Sequence, residues 1–233
     1  MVVKNEDYLF QILKRNSLFS EISEDNLRVL IKSSILNNLP KRTCILNASK
    51  TNCHFHIILA GRVKVYYFND LKDRKITLFL LTKNDVFDVH NLLQLPDHSK
   101  PVFYETLDKT DLICIPTLIL REWMLKNPCF YKSLLLYTTT KLKALEEYVA
   151  YSSTDDTSTK LARLLLNNLN CSTNKIEHIN NLPHKELAQL IGTTRAVINR
   201  EIQQFKREGI INIKHKNIEI TNMFRLLDKI NNF

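Results

Sequence analysis

The chain has 233 residues, 44% of them hydrophobic and 24% charged, with a formal net charge of +9 and a pI near 9.3. That is the composition of an ordinary globular protein of one large or two modest domains, and its basic balance suits a polyanionic partner. The five cysteines, Cys44, Cys53, Cys114, Cys129 and Cys171, form no Cys-x-x-Cys pair, which argues against a disulfide framework or a zinc knuckle and for buried free thiols.

From Met1 to Asp7 there is no apolar signal core, and no later run reaches the length of a membrane span, so a cytoplasmic protein without membrane contact is expected. The first forty residues are helical in character. Tyr8, Leu9, Ile12 and Leu13 recur at helical spacing, and Ser23-Glu24-Asp25-Asn26 introduces Leu27, Val29, Leu30 and Ile31. Between about Leu39 and Pro116 the period shortens. His54 to Ala60 precedes Gly61, Arg62 to Phe68 alternates, Asn69 to Asp73 turns, and Ile76, Leu78 and Leu80 alternate again. A further pair, Val102–Leu107 and Asp111–Ile115, flanks Asp108-Lys109-Thr110. Such strand density predicts an antiparallel barrel or double-sheet roll serving as an effector domain. Glycine occurs only at positions 61, 192 and 209, and each marks a place where the backbone has to turn.

Helical character returns at Thr117. Leu135, Thr138, Leu142, Leu145 and Val149 are spaced three and four apart, the seam of a coiled coil and hence of a homodimer. A single helix packed onto its own barrel is the alternative. The polar cluster Ser152 to Thr157 breaks the pattern and is read as a hinge.

The most informative stretch follows. Pro183 suits the first position of a helix whose apolar face is Leu187, Leu190 and Ile191, and Gly192 permits a tight turn. Thr193 or Thr194 can cap a second helix, with Val197, Ile198, Ile202 and Phe205 inside and Thr194, Arg195, Asn199, Gln203 and Lys206 outside. A plain helical hairpin would carry the same pattern. The continuation decides for more: after Glu208-Gly209, Ile211 and Ile213, then Ile218 and Ile220, alternate around Lys214-His215-Lys216-Asn217, a hairpin with a basic tip. Two helices and such a hairpin make a winged helix-turn-helix for double-stranded DNA. From Ser158 onward the chain holds 12 Lys plus Arg against 6 Asp plus Glu, which concentrates positive charge where phosphates would be met.

Strand roll, long helix, polar break and winged helix-turn-helix, in that order, resemble the Crp/Fnr superfamily of bacterial transcription regulators over essentially the whole chain. Ile191 to Arg200 looks like the family's turn and recognition helix, followed by its Glu208-Gly209-Ile210-Ile211 ending. Thr157 to Leu166 is similar to the helix leading into the DNA domain, and Leu59 to Val65 to the strand-Gly-strand corner. The implied organisation is an α+β chain: N-terminal helices and a β-roll of the double-stranded β-helix type (1–116), a dimerisation helix region (117–152) and a winged helix-turn-helix (153–233). The resemblance makes Arg195 and Arg200 the principal base-contacting arginines, since a guanidinium offers a bidentate fork to guanine. Ala196 stands where many members have a Glu, so the operator should differ from the best-known consensus. Thr193, Thr194, Asn199, Gln203 and Lys206 complete the major-groove surface, and Lys185, Lys206, Lys214 and Lys216 would steady phosphates. RNA polymerase is an implied partner, and activation the favoured outcome.

Departures concentrate in the sensor half. Members that bind cyclic nucleotides carry a Gly-Glu pair and later an Arg-Ser pair. Here Asp88-Val89, followed by His90, replaces the first and Lys100-Pro101 the second, and Pro101 has no N–H for a phosphate. The effector pocket is therefore placed at Asp88, Val89, His90 and Lys100, without cyclic AMP as its ligand. An iron-sulfur cluster is disfavoured because the first cysteine is Cys44. Cys53, His54, His56 and His90 are ligand-capable, so a haem- or redox-dependent gas sensor stands as an alternative, against ordinary core or surface histidines. A second alternative is a winged helix used for protein contact. No catalytic constellation or phosphate-cradling glycine loop is present, and an enzyme is not expected.

Overall fold

The computed structural model describes residues 6–45, 54–69, 74–93, 102–170, 172–173, 175–214 and 217–231. The chain forms two compact units, one of Met1–Arg74 and Leu78–Ala144, the other of Leu145–Phe233 with Lys75–Thr77.

The first unit opens with helices α1 (Glu6–Lys14) and α2 (Glu24–Lys32). The strands are β1 (Ile35–Leu39), β2 (Cys44–Ile45), β3 (His54–Ala60), β4 (Val63–Asn69), β5 (Arg74–Leu81), β6 (Val86–Phe87), β7 (Val102–Thr106) and β8 (Thr110–Pro116), with a helical turn α3 (Val89–Leu92) after β6. They form two four-stranded sheets, in the orders β1-β8-β3-β6 and β2-β7-β4-β5. Sheet structure thus starts at Ile35, inside the stretch expected to be helical; β1 pairs along its whole length with β8, and that pairing overrides the weak strand propensity of Asn37-Asn38.

Strand β3 shows why its sequence does not alternate. Phe55, Ile57 and Leu59 face the helical layer with Ile113 and Ile115 of β8, whereas Ile58 faces the inside of the roll with Leu112 and Cys114. Both faces are buried, so both are apolar. Outside the sheet, helix α4 (Thr117–Lys126) brings Trp123 against Phe19 and Phe130, with ring centroids 6.4 and 5.5 Å away, and the indole N–H donates to the Asn26 carbonyl at 2.8 Å. Burying both the rings and the indole N–H is tolerable only because that N–H is bonded.

Helix α5 runs from Cys129 to Thr154 and buries only Phe130 and Leu134 among its residues. The expected hinge over Ser152 to Thr157 is corrected: helix continues through Thr154, and only Asp155 and Asp156 separate it from α6 (Thr157–Asn167). Ser152, Ser153 and Thr154 are tolerated because their hydroxyls bond back to Val149 and Ala150 carbonyls. Asp156 caps α6, accepting from the Thr159 N–H at 2.7 Å, and Arg163 bonds Asp155 at 2.6 Å.

In the second unit α6 is followed by β9 (Leu169–Asn170), β10 (Lys175–Ile176), α7 (His184–Leu190), α8 (Arg195–Arg207), β11 (Ile211–Lys214), β12 (Asn217–Ile220) and α9 (Met223–Asn231). The sheet order is β11-β12-β10-β9, so the wing hairpin is backed by two short strands. Leu161, Leu165, Ile176, Ile198, Ile202, Phe205 and Leu226 are fully buried between the helices and this sheet. Glu208, at the end of α8, is held to α9 by the Lys229 ammonium at 2.9 Å and receives Gln204 at 2.8 Å. Those two bonds, Lys229 first, keep its carboxyl below the usual range.

Candidate nucleic-acid interface

Pro183 sits one position before α7, at its N-cap, with φ −57 and ψ 145, and not at the first helical position. Its carbonyl accepts from Glu186 and Leu187 N–H, which starts the helix as a first-turn proline would. The turn that follows depends on Gly192, whose φ is +76. In that left-handed conformation the Thr193 N–H reaches back to the Ala188 carbonyl at 2.8 Å and closes α7, a geometry that costs a Cβ-bearing residue about 1 kcal/mol or more. Thr194 then caps α8, its hydroxyl accepting from the Val197 N–H.

Helix α8 has one apolar face, with Ile198, Ile202 and Phe205 fully buried and Val197 half-buried at its edge. Thr194, Arg195, Ala196, Arg200, Gln203 and Lys206 are exposed, while Thr193 and Asn199 are half-buried. The Arg200 side chain keeps 71% of its surface open although its guanidinium lies 3.3 Å from Glu201. Lys185 is exposed at the start of α7, and Lys214 on the wing is exposed with Glu219 at 3.5 Å. Lys216 lies outside the described residues. A fork of arginines, amides and hydroxyls on one side of a helix packed by its other side can enter a major groove.

Two participants escaped the reading of the sequence. His184 hydrogen-bonds through Nδ1 to the Asn199 side-chain oxygen, which ties α7 to the outer edge of α8. Glu201 is buried at 6% exposure, although it looked like one more solvated charge, and it positions Arg200 from behind. The adjacent Arg200-Glu201 dipeptide was the available signal.

In the first unit, Asp88 is buried in a left-handed conformation with φ 64 and bonds His56 Nδ1 at 2.8 Å. Val89 is half-buried against the helical core, His90 is exposed, and Lys100 is outside the described residues. Of the haem-ligand candidates, His54 and His56 have ring centroids 6.3 Å apart, His56 is taken by Asp88 and stacked on Phe87 at 4.5 Å, and Cys53 is outside the described residues. Burial lowers the His54 pKa, with the neighbouring His56 charge acting the same way. Among the described residues no three His, Cys, Asp or Glu gather as a metal-binding group, and no helix is long and apolar enough to cross a membrane. Along α5, Leu135, Leu142 and Val149 are more than half exposed, and Thr138 and Leu145 are half-buried.

Residues 159–229 match the family model of the Crp-like helix-turn-helix domain. The transcriptional regulator flp of Lacticaseibacillus casei is 23% identical over 206 residues, covering 88% of this chain and 91% of that protein. The CRP-like cAMP-activated global transcriptional regulator of Mycobacterium tuberculosis is 20% identical over 222 residues, covering 93% and 97%. In fold, the chain is similar to a CooA variant from Carboxydothermus hydrogenoformans (TM-score 0.73, 21% identity, 91% and 94% of the two chains) and to FixK2 from Bradyrhizobium japonicum (0.71, 16%, 84% and 96%). Both sequence relatives are transcriptional regulators. Residues 159–229 are thus a Crp-like helix-turn-helix domain, in a chain whose fold is similar to those of the CooA variant and FixK2.

Proposed function

We propose that this chain is a cytoplasmic, homodimeric, sequence-specific transcription regulator that reads two half-sites with α8 and does not respond to cyclic AMP. The observation that carries it is the exposed row Thr194, Arg195, Gln203 and Lys206, with Arg200 beside it, on a helix whose opposite face is fully buried. In this reading residues 1–116 sense, 117–152 dimerise and 153–233 bind DNA, with RNA polymerase as a further partner. Binding should select an approximate palindrome from random duplexes and weaken steeply with salt as counterions are released. Arg195→Ala and Arg200→Ala are each expected to cost about 1–3 kcal/mol on the selected site while binding to random DNA holds. Equal losses on both would make them phosphate contacts, and binding to no duplex at any salt would overturn the reading.

The dimer is supported by the solvent-open apolar row Leu135, Leu142 and Val149 on α5, which a second copy would cover. Leu142→Glu is expected to yield a folded monomer in sedimentation and to lose cooperative half-site binding. A dimer of unchanged strength would place the interface elsewhere. Indifference to cyclic AMP is supported by Asp88, whose carboxylate is already committed to His56. Titration calorimetry with cyclic AMP is expected to show no heat of specific binding, and saturable micromolar binding would reverse this.

A further inference from the structure

Inside the roll, β3 and β8 pair so that His56 lies directly opposite Cys114, and opposed residues of an antiparallel pair share one face. The imidazole bonds Asp88 Oδ2 through Nδ1 at 2.8 Å, and, against burial, the opposed Cys114, after Asp88, helps to raise its pKa. From the other side Asn37 Nδ2 donates to Cys114 Sγ at 3.3 Å. Asp88 is fixed in its turn, bonded to Tyr104 and held in the left-handed backbone conformation that starts α3. A thiol, a charged imidazole that favours the thiolate beside it, and a carboxylate that keeps the imidazole charged and oriented form the sequence of groups that activates sulfur nucleophiles. These three do not converge as metal ligands.

We propose that Cys114 is a reactive thiol, set up by His56 and Asp88, which small hydroperoxides convert to a sulfenic acid. Access selects the reagent. Cys114 keeps 3% of its surface and the His56 and Asp88 side chains 8% and 2%, so a molecule little larger than water can enter and a bulky electrophile cannot. A sulfur electron pair attacks one peroxide oxygen, the S–O bond forms as the O–O bond breaks, and the proton shared by Cys114 and His56 leaves with the departing hydroxide as water. Sulfur loses two electrons and the peroxide gains them. With an alkyl hydroperoxide the leaving group departs as the alcohol.

The site lies wholly in the N-terminal unit, and its test needs no DNA. Full-length reduced protein is exposed to limiting hydrogen peroxide, quenched with catalase, unfolded in dimedone and mapped by mass spectrometry, with exposed Cys44 as internal reference. Cys114 is expected to carry severalfold more dimedone than Cys44, because the thiolate and not the thiol is the nucleophile. With N-ethylmaleimide on the folded protein the order should reverse, because that reagent cannot reach the roll interior. His56→Gln, checked for a native melting transition, is expected to bring Cys114 labelling down to the level of Cys44. The wild-type ranking decides by itself if that variant does not fold. Peroxide labelling of Cys114 no faster than of Cys44, or a folded His56→Gln that labels as wild type does, overturns the proposal.

Discussion

Asp88→Ala should destabilise the N-terminal unit by about 3–5 kcal/mol, the cost of leaving a buried charged partner uncompensated. Burial is the largest single influence on His56 and acts to lower its pKa. It is outweighed by the hydrogen bond to Asp88, the bond to Cys114 and the charges of both, which together hold the imidazole up at about 9. The other titratable neighbours are His54 on the same strand and Tyr104, whose own pKa is raised, by burial first and then by Asp88. The direction in pH follows from linkage. A group whose pKa is higher folded than unfolded contributes stability that is complete below about 6.5 and is lost as the pH rises through about 9. Wild-type stability should therefore fall across that window by an amount on the order of 3 kcal/mol, while Asp88→Ala is flat there. Asp88→Asn separates charge from backbone: Asn tolerates the left-handed conformation, so it should lose the pH dependence at a smaller cost than Ala. Trp123, the single tryptophan, lies in this unit's core, so its fluorescence in urea reads the transition directly. A wild-type midpoint that stays level from neutral to alkaline pH would show that the pair is not charged.

The second large effect is expected at the corner between β3 and β4. Gly61 has φ +89, and a Cβ there would stand 2.5 Å from Thr110 Oγ1, 2.6 Å from the Lys109 carbonyl oxygen and 2.9 Å from Thr110 Cα. Two of those three atoms are backbone and cannot step aside by changing rotamer. Gly61→Ala adds about 1–2 kcal/mol for the left-handed Cβ and about 1–3 kcal/mol for overpacking, so a loss of about 2–5 kcal/mol is anticipated in the same fluorescence assay. A variant within about 0.5 kcal/mol of wild type, the range of an ordinary surface substitution, would mean that the β8 turn can move away.

Glycine scarcity is what made this corner readable: with three in the chain, each marks a positive-φ turn, and all three have one. The recognition helix was legible for a different reason, because Ile198, Ile202 and Phe205 obey a single period and leave the opposite side to polar residues. Other elements went unread. Helix α9 follows Asn222, whose side chain caps it by accepting from the Arg225 N–H at 3.0 Å, and it buries Leu226, but at nine residues it was passed over. Strands β9 and β10 are two residues each and exist through pairing, β9 with β10 and β10 with β12, rather than through their own propensity. His56 looked like a ligand because local spacing cannot show that Asp88, 32 positions away, already holds it. The same limit hid His184 behind Asn199. Contacts between distant segments are decided by packing, and a single sequence carries them only as unpaired polar residues.

The corner between α5 and α6 has a mechanical meaning. Asp155 and Asp156 are the only residues between the helices, and they are pinned: Arg163 bonds Asp155 while its guanidinium lies 3.8 Å over the Tyr151 ring, Asp156 accepts from the Thr159 N–H, and Lys160 bonds the Ser152 carbonyl at 2.8 Å. Within the second unit the stretch from Leu145 to Thr154, about 15 Å of helix, is thereby tied to the first turns of α6. A diglycine in place of Asp155 and Asp156 would remove the Arg163 bond and the cap of α6 in one step, so the corner would lose its fixed angle.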